Sequence, residues 1–412
     1  MEVEIRKAAS VQEIHTGVED IFNRFTHVLP ASTDARILLK PNLNANMNAL
    51  TGNTTDLRLI AAVITHLKDA GYRNITIGEG TNSGYYRNNI SVISRLKVDR
   101  LARYFGVDIR DLNQDQPKFI IFEKGIRAGV AETCFQTDFL INLPKIKTHF
   151  EIGMSVCLKN LMGCLVGQEN KKKTHQDLAK NIVNLNQQLK PHLHVIDGLI
   201  AMEGLGPTRG KPVNLGLILG GTDPYLLDLV CARLAGFDYR NILTLKVAES
   251  RGLIGTTHFQ YLESLNLNGL TRSFERPKAY FPASFIHNPK RQKYFLAVRN
   301  TPFFTWLAST RLFGHLLFLS GLRQDNFIRK EMTLNRLTFL ADCCDEGCTR
   351  CADYCPLKLN VPKAIAERDF NCIGCLYCFL VCPQKAIGFE GEFGFMAEQL
   401  RQYDDITRKI SD

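Results

Sequence analysis

Nine of the 13 cysteines in this 412-residue chain fall between Cys343 and Cys382. That clustering constrains the chain more than any other feature. The N-terminal sequence MEVEIRKAAS has no apolar run, so no secretory signal is expected. A reducing compartment, hence the cytoplasm, is the expectation, and there dense cysteines point to metal and not to disulfides. The other four, Cys134, Cys157, Cys164 and Cys231, are scattered. Cys157 and Cys164, seven apart, are expected to share a helix face as core thiols, because two thiolates alone do not close a metal site.

Within the cluster, Cys372-x2-Cys375-x2-Cys378-x3-Cys382-Pro383 is a gapless C-x2-C-x2-C-x3-C-P run. Three thiolates at that spacing wrap the corners of one iron–sulfur cubane. A zinc knuckle needs four ligands but no such proline-terminated run. The upstream run is Cys344-x3-Cys348-x2-Cys351-x3-Cys355-Pro356, with Asp345 one residue off the pattern. Cys343 and Cys344 compete for its first position, and Cys344 is the closer in spacing. The departure leaves room for a 3Fe–4S or degenerate first cluster. Cys344-x3-Cys348-x2-Cys351 also fits the triad of radical S-adenosylmethionine enzymes, but Cys355-Pro356 and a second complete run follow at once.

Over about residues 342–389 the chain resembles bacterial two-cluster ferredoxins. The resemblance implies two 4Fe–4S clusters with crossed ligation, carrying one electron at a time. Cluster one would take Cys344, Cys348, Cys351 and Cys382. Cluster two would take Cys372, Cys375, Cys378 and Cys355.

The first 265 residues have a different rhythm. VEIRKA, ARILLKPN, NITIGEG, DFLINLP, HLHVIDG and NLGLILGG read as strands, several closed by Pro or Gly. Val11 to Val28 and Thr55 to Ala70 read as helices. TDPYLLDLVCARLAG reads as a third, with Thr222 as N-cap, Asp223 as an early residue favouring the dipole, and Gly236 as stop. Alternating strands and helices predict an α/β domain with a mostly parallel sheet covered by helices. Its ligands would sit beyond the carboxyl ends of the strands. Gly204-x-Gly206-x3-Gly210 contains Pro207 and precedes a strand, so it reads as a turn and not as a dinucleotide fingerprint.

Charge is also uneven. Net charge is +10, and residues 272–330 hold 11 Lys or Arg against 2 Asp or Glu, with 12 of the 38 aromatics. A uniformly basic nucleic-acid binder is therefore a poor description. The apolar stretch 302–322 is long enough to span a bilayer, but Arg311 in mid-span would cost about 2.5 kcal/mol or more. A buried or interfacial helix is expected instead. The segment suits peripheral contact with a membrane surface or an acidic partner better than RNA. The expected organisation is an α/β domain (1–265), a basic connecting segment of helical or irregular character (266–340), a small α+β ferredoxin-type domain (341–392) and a polar tail or helix (393–412).

Lys40-Pro41-Asn42, Thr54-Thr55-Asp56, Gly78-Glu79-Gly80, Asn142-Leu-Pro-Lys145-Ile-Lys147-Thr-His149, Leu158-Lys159-Asn160-Leu-Met-Gly163, Asp197-Gly198, Glu203-Gly204-x-Gly206-Pro207 and Thr222-Asp223-Pro224 together resemble domain-of-unknown-function family 362. The resemblance covers about residues 35–255. It implies a C-terminal ferredoxin module in many members and no established activity.

Read physically, Lys40, Lys145, Lys147 and Lys159 would converge at the strand ends and favour an anionic ligand. Lys145, Lys147 and His149 are the candidate catalytic residues, His149 for proton movement. Lys40, Asn42, Lys159 and Asn160 are the candidate substrate-binding residues. Asp56, Glu79, Asp197 and Glu203 are candidates for a divalent metal or acid–base work, and Asp56 also for a helix cap. His175, after Lys171-Lys172-Lys173, reads as a loop residue. Three functions fit: a redox enzyme whose clusters relay electrons to an anionic substrate, an electron-transfer or assembly partner of another protein, or non-redox chemistry beside purely structural clusters.

Overall fold

The computed structural model describes residues 1–277 (apart from 83, 86 and 87), residues 301, 303, 307 and 310, and residues 328–400 (apart from 346 and 398). Its strands are β1 (Val3–Lys7), β2 (Ile37–Pro41), β3 (Ile75–Glu79), β4 (Asp108–Asp111), β5 (Pro117–Ile121), β6 (Arg127–Ala131), β7 (Phe139–Leu143), β8 (Lys145–His149), β9 (Gly153–Ser155), β10 (Leu193–Leu205), β11 (Arg209–Gly221), β12 (Thr333–Phe339) and β13 (Ile387–Glu392).

The main sheet has the order β1-β11-β10-β7-β2-β3-β4, with β8 and β9 attached through β10. From β10 through β4 every pairing is parallel, whereas β11 is antiparallel to both β10 and β1. The expectation of a mostly parallel α/β sheet holds. β2 is buried along its whole length, as a parallel strand covered on both faces should be.

Helices flank the sheet. Ser10 caps the helix Val11–Arg24 in a capping box with Glu13, and the helix buries Val11, Ile14, Val18, Ile21 and Phe22. The expected extension to Val28 is instead a separate 3-10 turn, Thr26–Val28. Asp56 caps the helix Leu57–Asp69. The helix Pro224–Leu234 is capped by Asp223, not Thr222, because the Asp223 carboxylate accepts from the Tyr225 and Leu226 amides.

Pro144 sets the geometry that matters most. It interrupts the strand between β7 and β8, so β7 pairs with the start of β10 and β8 pairs further along it. The Pro144 carbonyl still accepts from the Asp197 amide at 2.8 Å. That register puts Lys145 opposite Asp197 and Lys147 opposite Met202. Side chains alternate along a strand, so Lys145, Lys147 and His149 share one face.

The C-terminal unit begins earlier than the cysteine pattern suggests. β12 lies in the expected connecting segment but pairs antiparallel with β13, closing the unit from both sides. Its short helices Val361–Ala366 and Tyr377–Val381 complete a small α+β unit. Leu376, Tyr377, Leu380, Val381, Phe395 and Met396 join the same core as the helices Val11–Arg24 and Leu57–Asp69. Phe395 and Met396, expected to belong to a polar tail, are thus buried, and Gln399 donates to the Asn46 carbonyl. The stretch 302–322 apart from residues 303, 307 and 310, most of 272–330 and the tail beyond residue 400 lie outside the described residues. Among the described residues, no helix is long and apolar enough to cross a membrane.

Candidate functional site

The four lysines expected to converge do face one another, but on unequal terms. Lys40 is fully buried and holds Glu79 at 3.0 Å, while also donating to the Pro41 carbonyl at 2.8 Å. Lys145 is fully buried and holds Asp197 at 2.9 Å. Both ammonium groups are thus already neutralised by carboxylates. Lys145, a candidate catalytic residue, is sealed from any ligand in this arrangement, and Lys40 is structural in the same sense.

Lys147 differs. It is 1% exposed, and its Nζ donates to Asn42 Oδ1 at 2.9 Å and to the Asn53 carbonyl at 2.8 Å, with no carboxylate at ion-pair distance among the described residues. Burial, then repulsion from Lys159 and Lys145, holds it well below the usual lysine range. A neutral amine has two N–H groups and one lone pair. The lowered value favours that neutral form, in which the bonds to Asn42 and Asn53 use both N–H groups and the lone pair remains for a proton or an electrophile.

His149 is likewise neutral, held well below the usual imidazole range by burial and then by Lys159. Its Nδ1 accepts from the Glu151 amide at 3.2 Å, which assigns the proton to Nε2. Lys159 is half-buried, has no hydrogen-bond partner among the described residues, and is lowered by burial although Glu151 opposes the shift. Asn42 and Asn160 are linked at 2.8 Å, and Asn160 donates on to the Lys40 carbonyl and to Asn142 Oδ1. His175 lies in a 3-10 turn, 3.7 Å from Glu151.

The carboxylates do not gather for a divalent ion. Asp56 chelates the buried Arg58, Glu79 serves Lys40 and the Leu43 amide, and Asp197 serves Lys145. Glu203 accepts from the Glu275 amide. Among the described residues, no group of three His, Cys, Asp or Glu side chains is set to hold a single metal ion.

Three contributors escape sequence reasoning. Asn53 holds Lys147 through its carbonyl, while its side-chain Oδ1 is buried without a partner among the described residues. Lys171 sits in a run that reads as solvated, yet donates to the Gly80 and Thr81 carbonyls and to Asn113 Oδ1, and burial lowers it to about 8. Gly163 packs where only a hydrogen fits, since a Cβ would lie 1.9 Å from Glu79 Oε1. No sequence signal marks the first two. Gly163 lies in a quoted motif, but its contact is purely tertiary.

The scattered cysteines are all buried, as expected of core thiols. Cys157 and Cys164 do not share a helix, however. The helix Cys157–Asn160 gives way to a 3-10 turn, so Cys157 neighbours Asp228 and Cys231 while Cys164 lies beside Cys134, both of them free thiols.

The C-terminal thiols fall into two neighbourhoods. Burial raises Cys344, and Cys348 and Cys382 raise it further. Burial likewise raises Cys351, with Cys348, Cys382 and Cys344 adding to it. Burial raises Cys375 and Cys378, each also feels Cys355 and Cys372, and Cys378 further feels Cys351 of the first group. Cys343 is exposed. Cys355, Cys372, Cys375 and Cys378 line one cavity of about 450 Å³, including its open part. The remaining walls are apolar, from Leu337, Val361, Ile365 and Tyr377 among others. Four thiols around one apolar recess fit a metal–sulfur cluster, which spreads its ligands wider than a single metal does.

Fold and site together define an α/β protein with buried lysines at its strand ends and a cysteine-rich C-terminal unit suited to iron–sulfur binding. Residues 37–233 match the family described as Domain of unknown function (DUF362). The chain is 29% identical over 240 residues to the Thylakoid-associated protein sll1697 of Synechocystis sp., across 53% of this chain and 68% of that protein. The lactate racemase apoprotein from Thermoanaerobacterium thermosaccharolyticum is similar with a TM-score of 0.40 and 11% identity. That match spans 56% of this chain and 56% of the racemase chain.

Proposed function

We propose that this chain is an iron–sulfur redox protein that delivers electrons to an anionic substrate at the strand ends of its α/β domain. When bound, 4Fe–4S clusters supply one-electron transfer. Cys344, Cys348, Cys351 and Cys382 would hold one, and Cys372, Cys375, Cys378 and Cys355 the other. The observation that carries the reading is the gathering of Cys355, Cys372, Cys375 and Cys378 around one apolar cavity, with Cys344, Cys348, Cys351 and Cys382 grouped beside it.

On the substrate side, the working residues are Lys159, Lys147 and His149. The Lys159 ammonium attracts the anion, supported by the Asn42–Asn160 pair. His149 donates from Nε2, and the neutral Lys147 amine accepts a proton. Lys40 and Lys145 hold the frame through Glu79 and Asp197.

A second reading is favoured by one observation: two of the four lysines are already spent on carboxylates. In it the α/β domain serves as an electron-transfer or assembly partner of another protein and performs no catalysis. The relative named thylakoid-associated supports peripheral membrane contact, through the basic segment 272–330, in either case.

The test is iron per chain and EPR of anaerobically purified, dithionite-reduced protein, followed by reoxidation with small carboxylates and phosphate esters. About eight irons with coupled signals, and a compound that reoxidises wild type but not Lys147→Met, support the enzyme. Full iron without any such compound favours the partner role. Absence of iron sinks both.

A further inference from the structure

The segment 53–58 touches both halves of the molecule. The Asn53 carbonyl accepts from Lys147 at 2.8 Å, and the Asp56 amide donates to Asp197 at 2.6 Å. One residue later, the Leu57 amide donates to the Tyr377 hydroxyl at 3.3 Å. The Arg58 guanidinium then lies 4.0 Å over the Tyr354 ring and donates to the Asp353 carbonyl at 3.4 Å. Tyr354 immediately precedes Cys355, and Tyr377 stands between Cys375 and Cys378 and lines the thiol cavity.

Arg58 and Asp56 form a bidentate pair, with Nε 3.1 Å and Nη2 2.9 Å from the carboxylate. Their side chains are 1% and 0% exposed. The pair is therefore a buried dipole. The guanidinium lies over the Tyr354 ring and the carboxylate lies beside Lys145 and Asp197, while Tyr377 feels the Asp56 carboxylate more strongly than Arg58. In so dry a setting solvent and salt screen it little.

We propose that Arg58 and Asp56 are positioning residues that set the reduction potential at the Cys355, Cys372, Cys375 and Cys378 site. The inference rests on the cluster reading above. Reduction adds one negative charge there, which the Arg58 guanidinium favours and the Asp56 carboxylate opposes. Removing either charge must shift it, with opposite signs. Arg58→Gln leaves Asp56 uncompensated and makes the potential more negative. Asp56→Asn keeps a good helix cap but leaves Arg58 uncompensated, and makes it more positive. A merely structural pair would loosen the site in both variants and move both potentials the same way.

The experiment is an EPR-monitored redox titration of reconstituted full-length wild type, Arg58→Gln, Asp56→Asn and Arg58→Lys, with iron counted on each sample. Opposite shifts at equal iron content, with Arg58→Lys near wild type, establish the role. Shifts of one sign, or none, at equal iron content overturn it and leave the cluster reading intact. A wild type that binds no iron overturns the cluster reading and this inference with it. If Arg58→Gln fails to fold, Asp56→Asn decides: without a more positive potential the inference falls.

Discussion

Lys145 and Lys147 point from one face of the same strand, two residues apart, yet only Lys145 meets a carboxylate. Its Nζ lies 2.9 Å from Asp197, whereas Lys147 reaches only the Asn42 and Asn53 oxygens. One lysine is paired with a carboxylate, and burial pushes the other well below the usual lysine range.

Breaking the Lys145–Asp197 pair from one side leaves a bare charge in the core. Lys145→Met and Asp197→Asn should each cost about 3–5 kcal/mol. The double variant Lys145→Met, Asp197→Leu should lose less than the sum, because no charge is stranded. Urea midpoints at constant m-value measure this. Additive losses would show that the two groups do not act as a pair.

Lys147 is held well below its usual value, mainly by burial, and Lys171 is held at about 8. Unfolded, each lysine titrates near 10.5. Between those values the unfolded chain binds more protons, so stability should rise with pH from about 8 toward 10.5. Lys147→Met should flatten that rise. Denaturation at pH 8 and pH 10 checks it, and an equally steep rise in the variant would show Lys147 to be charged in the fold.

Asp228 has the opposite sign. Burial raises its carboxyl to about 7, although the Cys157 and Leu158 amides donate to it. Between 3.8 and about 7 the folded chain binds more protons than the unfolded one, so this group's contribution falls as pH rises through that window. In Asp228→Asn the fall between pH 5 and pH 8 should disappear.

A methyl group at Gly163 would sit 1.9 Å from Glu79 Oε1 and 2.8 Å from Lys40 Nζ. Gly163→Ala should therefore destabilise by about 1–3 kcal/mol, in the manner of other overpacked sites. Thermal unfolding reads the loss. Wild-type stability in the variant would mean that the loop stands off the Lys40–Glu79 pair.

Cys343 is exposed and Cys344 has Cys348 and Cys382 as neighbours. Cys343→Ser should keep the full iron content, whereas Cys344→Ser should lose about one cluster's worth, counted by iron analysis. The reverse pattern would exchange their roles.

The strands were readable because apolar runs such as Ile37-Leu38-Leu39 and Phe139-Leu140-Ile141 end at Pro or Gly, and burial on both faces demands such runs. Asp56 as a helix cap was readable from its position before an amphipathic stretch. The lysines of the site were visible as residues but not as charges. Glu79 lies 39 positions from Lys40, and Asp197 lies 52 from Lys145, so only the strand register reveals which ammonium is neutralised. Arg58 offered less still. Its carboxylate is two residues away, but Tyr354 comes from the far end of the chain. Thr222 and Asp223 can both cap a helix, and sequence alone does not decide between a hydroxyl and a carboxylate one step apart.

The pairing of β12 with β13 sets a lower limit on what can be cut from this chain. Fragments designed on the cysteine pattern would begin near residue 341 and leave out Thr333–Phe339. β13 would then keep a row of free amides and carbonyls along one side, open to the same strand of a neighbouring copy. Such a fragment would carry every thiol of the two runs and still tend to stack into aggregates, so a soluble excised unit has to start before Thr333.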